Sequence, residues 1–223
     1  MKRALDWLRA HVRPWKDPWS ATTHFVGAWL AVAGAGWLAA RAWDHPRLGF
    51  VMLVYGVSLV VLFAASSAYH FFDIGPAGNR WLRRIDHAAI FLVIAGTSAP
   101  AVALLPEDGL RAPLLWAIAA VTVVGIAFKV LWIDCPSWLG ASIYILMGAI
   151  PLLAAGELFS AMPAGAAPFL LAGGAAYLVG AVIFVVEWPD PWPQTFGFHE
   201  VWHLFVLAGA ASHYAFMHSL LAA

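Results

Sequence analysis

Two histidines one helical turn apart, His199 and His203, lie at the start of the last long apolar segment of the chain. Side chains four residues apart share a face of an α-helix, so both imidazoles can reach one metal ion. An ionisable group at membrane depth is costly and is therefore a candidate for function. The pair predicts a metal-binding group at this end of the segment.

Other apolar segments bring similar side chains to the same level. His70 lies near the end of the second segment, Asp86 lies at the expected start of the third, and His24 lies just inside the first. Three neutral imidazoles and a water molecule make a tetrahedral catalytic zinc site, which leaves one position open for a substrate. We therefore predict that His70, His199 and His203 hold a Zn²⁺ ion.

Two further side chains are predicted to act beside these ligands. Asp86 can orient a water molecule at the metal or accept its proton. Ser66 precedes His70 by one helical turn, so its hydroxyl shares a face with that imidazole and can stabilise an oxyanion. His87 points elsewhere on the helix and is predicted to be structural or part of a hydrogen-bond network. The alternative is that the histidines are interfacial groups bound to water or lipid headgroups, without a metal.

The segment that contains Glu200, HEVWH, also fits the HExxH pattern of zinc metalloproteases. In those enzymes the motif lies on a helix of a soluble fold with a further ligand, whereas here it begins an apolar segment. We therefore expect a structural role for Glu200, paired near the metal or with a basic residue of a loop.

Composition and segment length predict the architecture that must position these groups. The 223 residues are 63% hydrophobic and 11% charged, whereas soluble domains are about 25% charged. A helix needs about 20 mostly apolar residues to span a bilayer. These lengths predict an all-α integral membrane protein, a seven-helix bundle over 19–223 after a retained amphipathic leader at 1–18. The predicted spans are about 21–40, 49–71, 86–105, 112–132, 138–157, 168–187 and 199–221.

The distribution of basic residues predicts how the bundle is oriented. Nine of the 12 Lys and Arg residues fall on one side, and the other three (Arg41, Arg47 and Arg111) fall on the opposite side. Because basic residues concentrate in cytoplasmic loops, we expect the N-terminus in the cytoplasm and the C-terminus outside. The predicted zinc site then lies near the cytoplasmic face of the cell (inner) membrane.

Charge and cysteine content exclude several other classes. The formal net charge is zero, so no basic field favours nucleic acid as a partner. The single cysteine, Cys135, excludes an internal disulfide framework and a multi-cysteine zinc site, and we expect it to be a small packing residue. The expected partners are membrane lipids, while the oligomeric state is left open.

Four stretches resemble the haemolysin III-like proteins, the bacterial branch of the progestin and adipoQ receptor family. DPWSATTHFVG is similar to the first motif of the family, although Asp17 and Ser20 stand where the family usually has Glu and Asn. We predict supporting roles at the site for four residues: Asp17, His24, Glu200 and His87. The other three stretches are SSAYHFF with LRRIDHAAIFLVIAGTSAP, FKVLWIDCPSWLGASIYILMGAIPLL, and GFHEVWHLFVLAGAASHY.

The resemblance implies a seven-helix bundle with an intramembrane zinc near the cytoplasmic face. It implies His70, His199 and His203 as ligands, with Asp86 and Ser66 contacting a water molecule at the metal. Animal members of this family are associated with hydrolysis of ceramide-like lipid amides, and the family is more distantly similar to alkaline ceramidases. The bacterial branch takes its name from haemolytic activity, and roles in lipid or membrane-energy homeostasis have been proposed for it.

The sequence is compatible with three candidate functions. The first is a zinc-dependent hydrolase of a lipid amide or ester, and the second is a receptor-like sensor in which zinc is structural. The third is a haemolysin that forms a pore, which should have polar residues along the full length of several spans. The first, fourth and sixth segments are almost wholly apolar, so the sequence disfavours a monomeric pore.

Overall fold

The computed structural model describes residues 13–221, and seven of its helical segments are long and apolar enough to cross a membrane. This confirms the predicted all-α membrane bundle, while residues 1–12 of the predicted leader lie outside the described residues. The elements are β1 (Arg13–Pro14), α1 (Pro18–Arg41), α2 (Pro46–Phe71), β2 (Phe72–Asp73), α3 (Gly75–Val102), α4 (Arg111–Leu131), α5 (Ser137–Ala149), a 3₁₀ turn (Ile150–Ala154), α6 (Ala155–Ala161), α7 (Ala167–Val186) and α8 (Phe198–Leu221).

The exterior of the bundle is apolar, as a lipid-facing surface must be. Large apolar side chains such as Trp29, Val123 and Leu146 are exposed on the helices, whereas Tyr55 and Phe91 are fully buried. Backbone polar groups in lipid must be satisfied internally, and continuous helices achieve this. The same helices place buried serines and histidines on their inner faces, so the polar side chains with chemical potential lie inside the bundle.

The packing order brings the first, second and last long helices together. Helix α1 packs along α2 and also contacts α8, while α8 packs along α7. Helix α2 in turn packs on α3. The histidines of α1, α2 and α8 are therefore neighbours although up to 179 residues of sequence separate them.

Helix α3 begins earlier than the sequence predicts. We expected the third span to open at Asp86, but the helix begins at Gly75, so Asp86 lies about three turns inside it. Local hydrogen bonds explain the early start. The Ile74 N–H donates to the Asn79 side chain at 2.9 Å, and the Gly75 N–H donates to Asp73 at 3.2 Å. The predicted loop between the second and third spans is therefore mostly helical.

The fifth span is not one regular helix. Helix α5 ends at Ala149, a 3₁₀ turn follows, and α6 completes the span to Ala161. Pro151 lies at the start of this turn and has no N–H to donate to the preceding helical turn. The proline therefore accounts for the break.

A short ribbon joins the N-terminal segment to the end of α2. Strand β1 pairs antiparallel with β2, and the Asp17 N–H donates to the His70 carbonyl at 2.8 Å. Residues 13–17 therefore cross the end of α2, where His70 lies. We call residues 13–17 the N-terminal strap.

Helices α7 and α8 approach closely at Gly173, and this contact gives a testable prediction. A Cβ at Gly173 would overlap the buried His213 ring of α8. Gly173→Ala should lower the free energy of unfolding by about 1–3 kcal/mol, because overpacking displaces neighbouring side chains. Thermal unfolding in detergent measures the effect. The adjacent Gly174 has open space around its Cα, so Gly174→Ala is the matched control and should leave the melting temperature unchanged or higher. Equal melting temperatures for both variants would contradict this contact.

Candidate metal centre

Three imidazoles meet at one end of the bundle. His70 lies one residue before the end of α2, and His199 and His203 lie in the first two turns of α8. One ring nitrogen from each lies within 4.8 Å of the other two. His70 and His203 are buried and His199 is half-buried. The structure therefore brings together the three residues that we predicted as ligands.

The N-terminal strap orients the His70 ring. Its Nδ1 lies 2.9 Å from Asp17 Oδ2. Since a carboxylate can only accept, Nδ1 carries the proton and Nε2 presents its lone pair towards His199. Burial raises the pKa of the Asp17 carboxyl, but the hydrogen bond and charge of His70, together with Lys16, outweigh it and leave the pKa below its ordinary value. Asp17 is thus a carboxylate that accepts from Nδ1–H of His70 and so orients its ring.

The donor set fits a zinc ion. Two nitrogens bound tetrahedrally at zinc distances lie about 3.3 Å apart, and the Nε2 atoms of His70 and His199 are 3.3 Å apart. His203 Nδ1 is a buried atom without a hydrogen-bond partner among residues 13–221. A carboxylate that orients one imidazole from outside is the usual second shell of such a site. The residues present are therefore suitable ligands for zinc.

Asp86 and Ser66 lie beside the three imidazoles. The Ser66 hydroxyl and the His70 imidazole are both close enough to the Asp86 carboxyl group to interact with it. Ser66 is buried on α2, one turn before His70. The predicted pair of an acid–base carboxyl and a hydroxyl is therefore present at the imidazole cluster, although Asp86 reaches it from within α3.

The fourth buried histidine of this region, His24, does not join the cluster of ligand atoms. Its ring stacks on the His203 ring with centroids 3.7 Å apart. Neither of its ring nitrogens has a hydrogen-bond partner in the described part of the chain. His24 therefore packs against one face of the His203 ring.

Glu200 lies close to the site, and its partners are not basic residues. Its Oε1 accepts a hydrogen bond from the Ser20 hydroxyl at 2.7 Å, and its Oε2 accepts one from the Gly197 N–H at 2.8 Å. The partners are thus a hydroxyl and a backbone amide, not a basic loop residue. Glu200 ties the start of α8 to α1, because carboxylates bind the free N–H groups of a helix N-terminus. Because both carboxylate oxygens of Glu200 accept these hydrogen bonds, the structure argues against the general-base role that the Glu of HExxH has in a metalloprotease.

His87 is not one of the three imidazoles whose ring nitrogens lie within 4.8 Å of one another. Its carbonyl accepts a hydrogen bond from the Tyr144 hydroxyl at 3.0 Å. Lys129 interacts electrostatically with its imidazole. We call His87, Tyr144 and Lys129 the second polar group. The sequence contained a signal for this group that we did not use, because Lys129 is a single lysine within an apolar run.

Lys16 was also missed as a neighbour of the site. Its Nζ donates to the Tyr69 carbonyl at 2.7 Å and lies 3.5 Å from the centroid of the Tyr69 ring. From the sequence we counted Lys16 only among the basic residues of the leader. Its position next to Asp17 was the signal that could have indicated its place beside the site.

Comparisons with known proteins bear on the whole chain. A family model described as haemolysin-III related matches residues 13–214. Hemolysin-3 of Bacillus cereus is 33% identical over 198 residues, which cover 86% of this chain and 85% of that protein. The hemolysin-3 homolog of Bacillus subtilis (strain 168) is 27% identical over 199 residues, which cover 86% and 88%. Human monocyte to macrophage differentiation factor is 27% identical over 168 residues, which cover 72% and 66%.

Proposed function

Because this chain belongs to the haemolysin III-related family of multi-pass cell-membrane proteins, we propose that it is a zinc-dependent hydrolase of lipid amides or esters. The observation that carries the proposal is the group of three imidazoles with a carboxyl group beside it, at the end of a bundle whose exterior is apolar. A substrate whose scissile carbonyl lies near the membrane surface would reach this depth without leaving the bilayer.

The three imidazoles would hold the ion and leave one position of a tetrahedral set open. When bound, zinc supplies a Lewis acid that polarises a carbonyl and favours a hydroxide nucleophile at neutral pH. Asp86 accepts the proton of the attacking water at a carboxylate oxygen and returns it to the leaving amine or alkoxide. The Ser66 hydroxyl interacts with that carboxyl group; once Asp86 is protonated and donates to it, the hydroxyl proton would be free to turn to a developing oxyanion.

Zinc content and lipid turnover together test the proposal. The full chain, purified in detergent without chelators, should contain about one zinc per chain. It should release fatty acid from at least one member of a panel of ceramides, other N-acyl lipids and phospholipid esters. Zinc without turnover of any panel member would overturn the hydrolase. Protein without bound metal would overturn the zinc site as well.

Removal of the Asp17 carboxylate should weaken zinc binding without abolishing it. Asp17→Ala leaves His70 Nδ1 without its acceptor, so we expect zinc affinity to fall about 10–100-fold, as for other outer-shell partners of metal-bound histidine. Competition with a chromophoric chelator measures the change. Asp17→Asn keeps an acceptor and should give an intermediate affinity. Wild-type affinity in the alanine variant would contradict the role of the N-terminal strap in orienting His70.

A second candidate function is a receptor-like sensor in which zinc only joins α2 to α8. The observation that favours it is that the imidazole cluster links α2 to α8, which are far apart in sequence. Chelation should then lower the melting temperature and the ligand response, with no turnover to lose. Direct haemolysis through a pore is the third candidate, and it is suggested only by the names of the two Bacillus relatives. Conductance of the purified protein in planar bilayers would support it.

A further inference from the structure

A buried lysine lies near the end of α4. Lys129 is in the last turn of α4, only 3% exposed. We counted it among the basic residues of the loops, but the structure places it inside the bundle. Its Nζ lies 3.2 Å from the Sγ of Cys135, which is itself 7% exposed. Cys135 is buried, as expected for a packing residue, and it also contacts a buried lysine.

The surroundings enclose this pair. A Cβ at Gly140 would lie 2.8 Å from Lys129 Nζ, and the Tyr144 ring centroid is 5.9 Å from that nitrogen. Nearby on α3, the buried Nδ1 of His87 has no hydrogen-bond partner within residues 13–221. No carboxylate of the described chain forms an ion pair with Lys129. The Cys135 sulfur is the single acceptor that the described residues offer to Lys129 Nζ.

An ammonium group removed from water is costly unless an anion lies beside it. The anion that Cys135 can provide is its thiolate, and a neighbouring cation stabilises this reactive form of a cysteine. Lys129 Nζ and Cys135 Sγ lie 3.2 Å apart, so a thiolate formed at Cys135 during reaction has a cation beside it. The sulfur of this pair can be oxidised, and the lysine nitrogen can then form a bond to it.

We propose that Lys129 and Cys135 form a covalent sulfenamide cross-link when the protein meets hydrogen peroxide. In the first step the thiolate attacks one peroxide oxygen and the O–O bond breaks. The departing hydroxide takes a proton from the Lys129 ammonium and leaves as water. Sulfur is oxidised to the sulfenic acid and peroxide is reduced, so the oxidant balances the step.

The first step leaves a neutral amine beside the oxidised sulfur. In the second step Lys129 Nζ attacks Sγ, the N–S bond forms and the S–O bond breaks. The departing hydroxide takes a proton from the nitrogen and leaves as water, so no further oxidant is needed. Sulfenic acids condense with nitrogen in this way when one is held close. The helix end and the following connection hold the two atoms together, which favours this reaction over attack by a group from solution.

The sequence offers a clean test, because Cys135 is the only cysteine and Lys129 is the last lysine or arginine. Full-length protein in detergent is treated with peroxide, denatured, alkylated and digested with trypsin. Unmodified protein should be cut after Lys129, giving residues 112–129 and 130–223. The cross-linked protein should give one peptide, 112–223, with an unalkylated sulfur and a mass about 2 Da below the thiol form. Dithiothreitol should restore cleavage and alkylation.

Two variants separate the contribution of the Lys129 amine from that of the Cys135 sulfur. Lys129→Arg keeps a buried cation but removes the amine, so Cys135 should stop at a sulfenic acid that dimedone traps. Cys135→Ser should show no peroxide-dependent product at Lys129. Wild-type protein that is still cut after Lys129, with Cys135 unreacted or oxidised to a sulfinic acid, would overturn the proposal even if neither variant folds.

Discussion

Purified His203→Ala protein is expected to contain less than about a tenth of a zinc per chain, whereas the wild type should contain about one. His203 is 2% exposed and provides one of three nitrogens that lie within 4.8 Å of one another. Two imidazoles cannot complete the set, so the loss should exceed the 10–100-fold effect of an outer-shell change. Metal analysis of the detergent-solubilised protein gives the result directly.

The matched control is His213→Ala on the same helix. His213 is also a buried histidine, but its Nε2 lies 3.1 Å from the Leu170 carbonyl oxygen and outside the imidazole cluster. The variant should retain zinc, although it loses the packing against Gly173. Equal zinc content in His203→Ala and wild type would show that the three histidines are not the metal site. Equal loss in both variants would show a general defect of folding.

Asp86→Asn should greatly slow turnover while zinc remains bound. The carboxyl group lies close to Ser66 and His70, but it does not belong to the group of three imidazoles that could hold the ion. Loss of a general base costs about 10²–10⁴-fold in rate, so kcat should fall by that factor with the zinc content near that of the wild type. A panel substrate that the wild type hydrolyses provides the assay.

Asp134→Asn is the control for this change. Asp134 is an exposed carboxylate at the same end of the bundle, paired with Arg80 and Arg83. Its replacement should change neither turnover nor metal. Full activity of zinc-loaded Asp86→Asn would remove Asp86 from the mechanism. Absence of turnover in the wild type, with zinc bound, would favour the sensor with a structural ion.

Much of the fold was predictable because membrane depth imposes length and composition on each helix. All seven spans were located, and both ends of α8 agree with the prediction within a few residues. The predicted start of α3 was wrong because Asp73 accepts hydrogen bonds from the Gly75 N–H and the Asn79 side chain, and these contacts extend the helix through a polar stretch. Hydropathy reports which residues avoid water and gives no information on such caps.

The sequence by itself determined the residue types of the candidate centre and their level in the membrane. Helical periodicity placed His199 and His203 on one face, and the ends of the apolar segments brought His70 to the same level. The resemblance to a known family implied the same ligands.

Only the tertiary structure decided which groups touch. The packing of α1 and α2 beside α8 sets the 3.3 Å separation between the His70 and His199 nitrogens. The N-terminal strap places Asp17 against His70, and both oxygens of Glu200 bind Ser20 and Gly197 instead of a basic residue. The same packing buries Lys129 against Cys135. These contacts join residues far apart in sequence or on different elements, and hydropathy and periodicity within one segment cannot specify them.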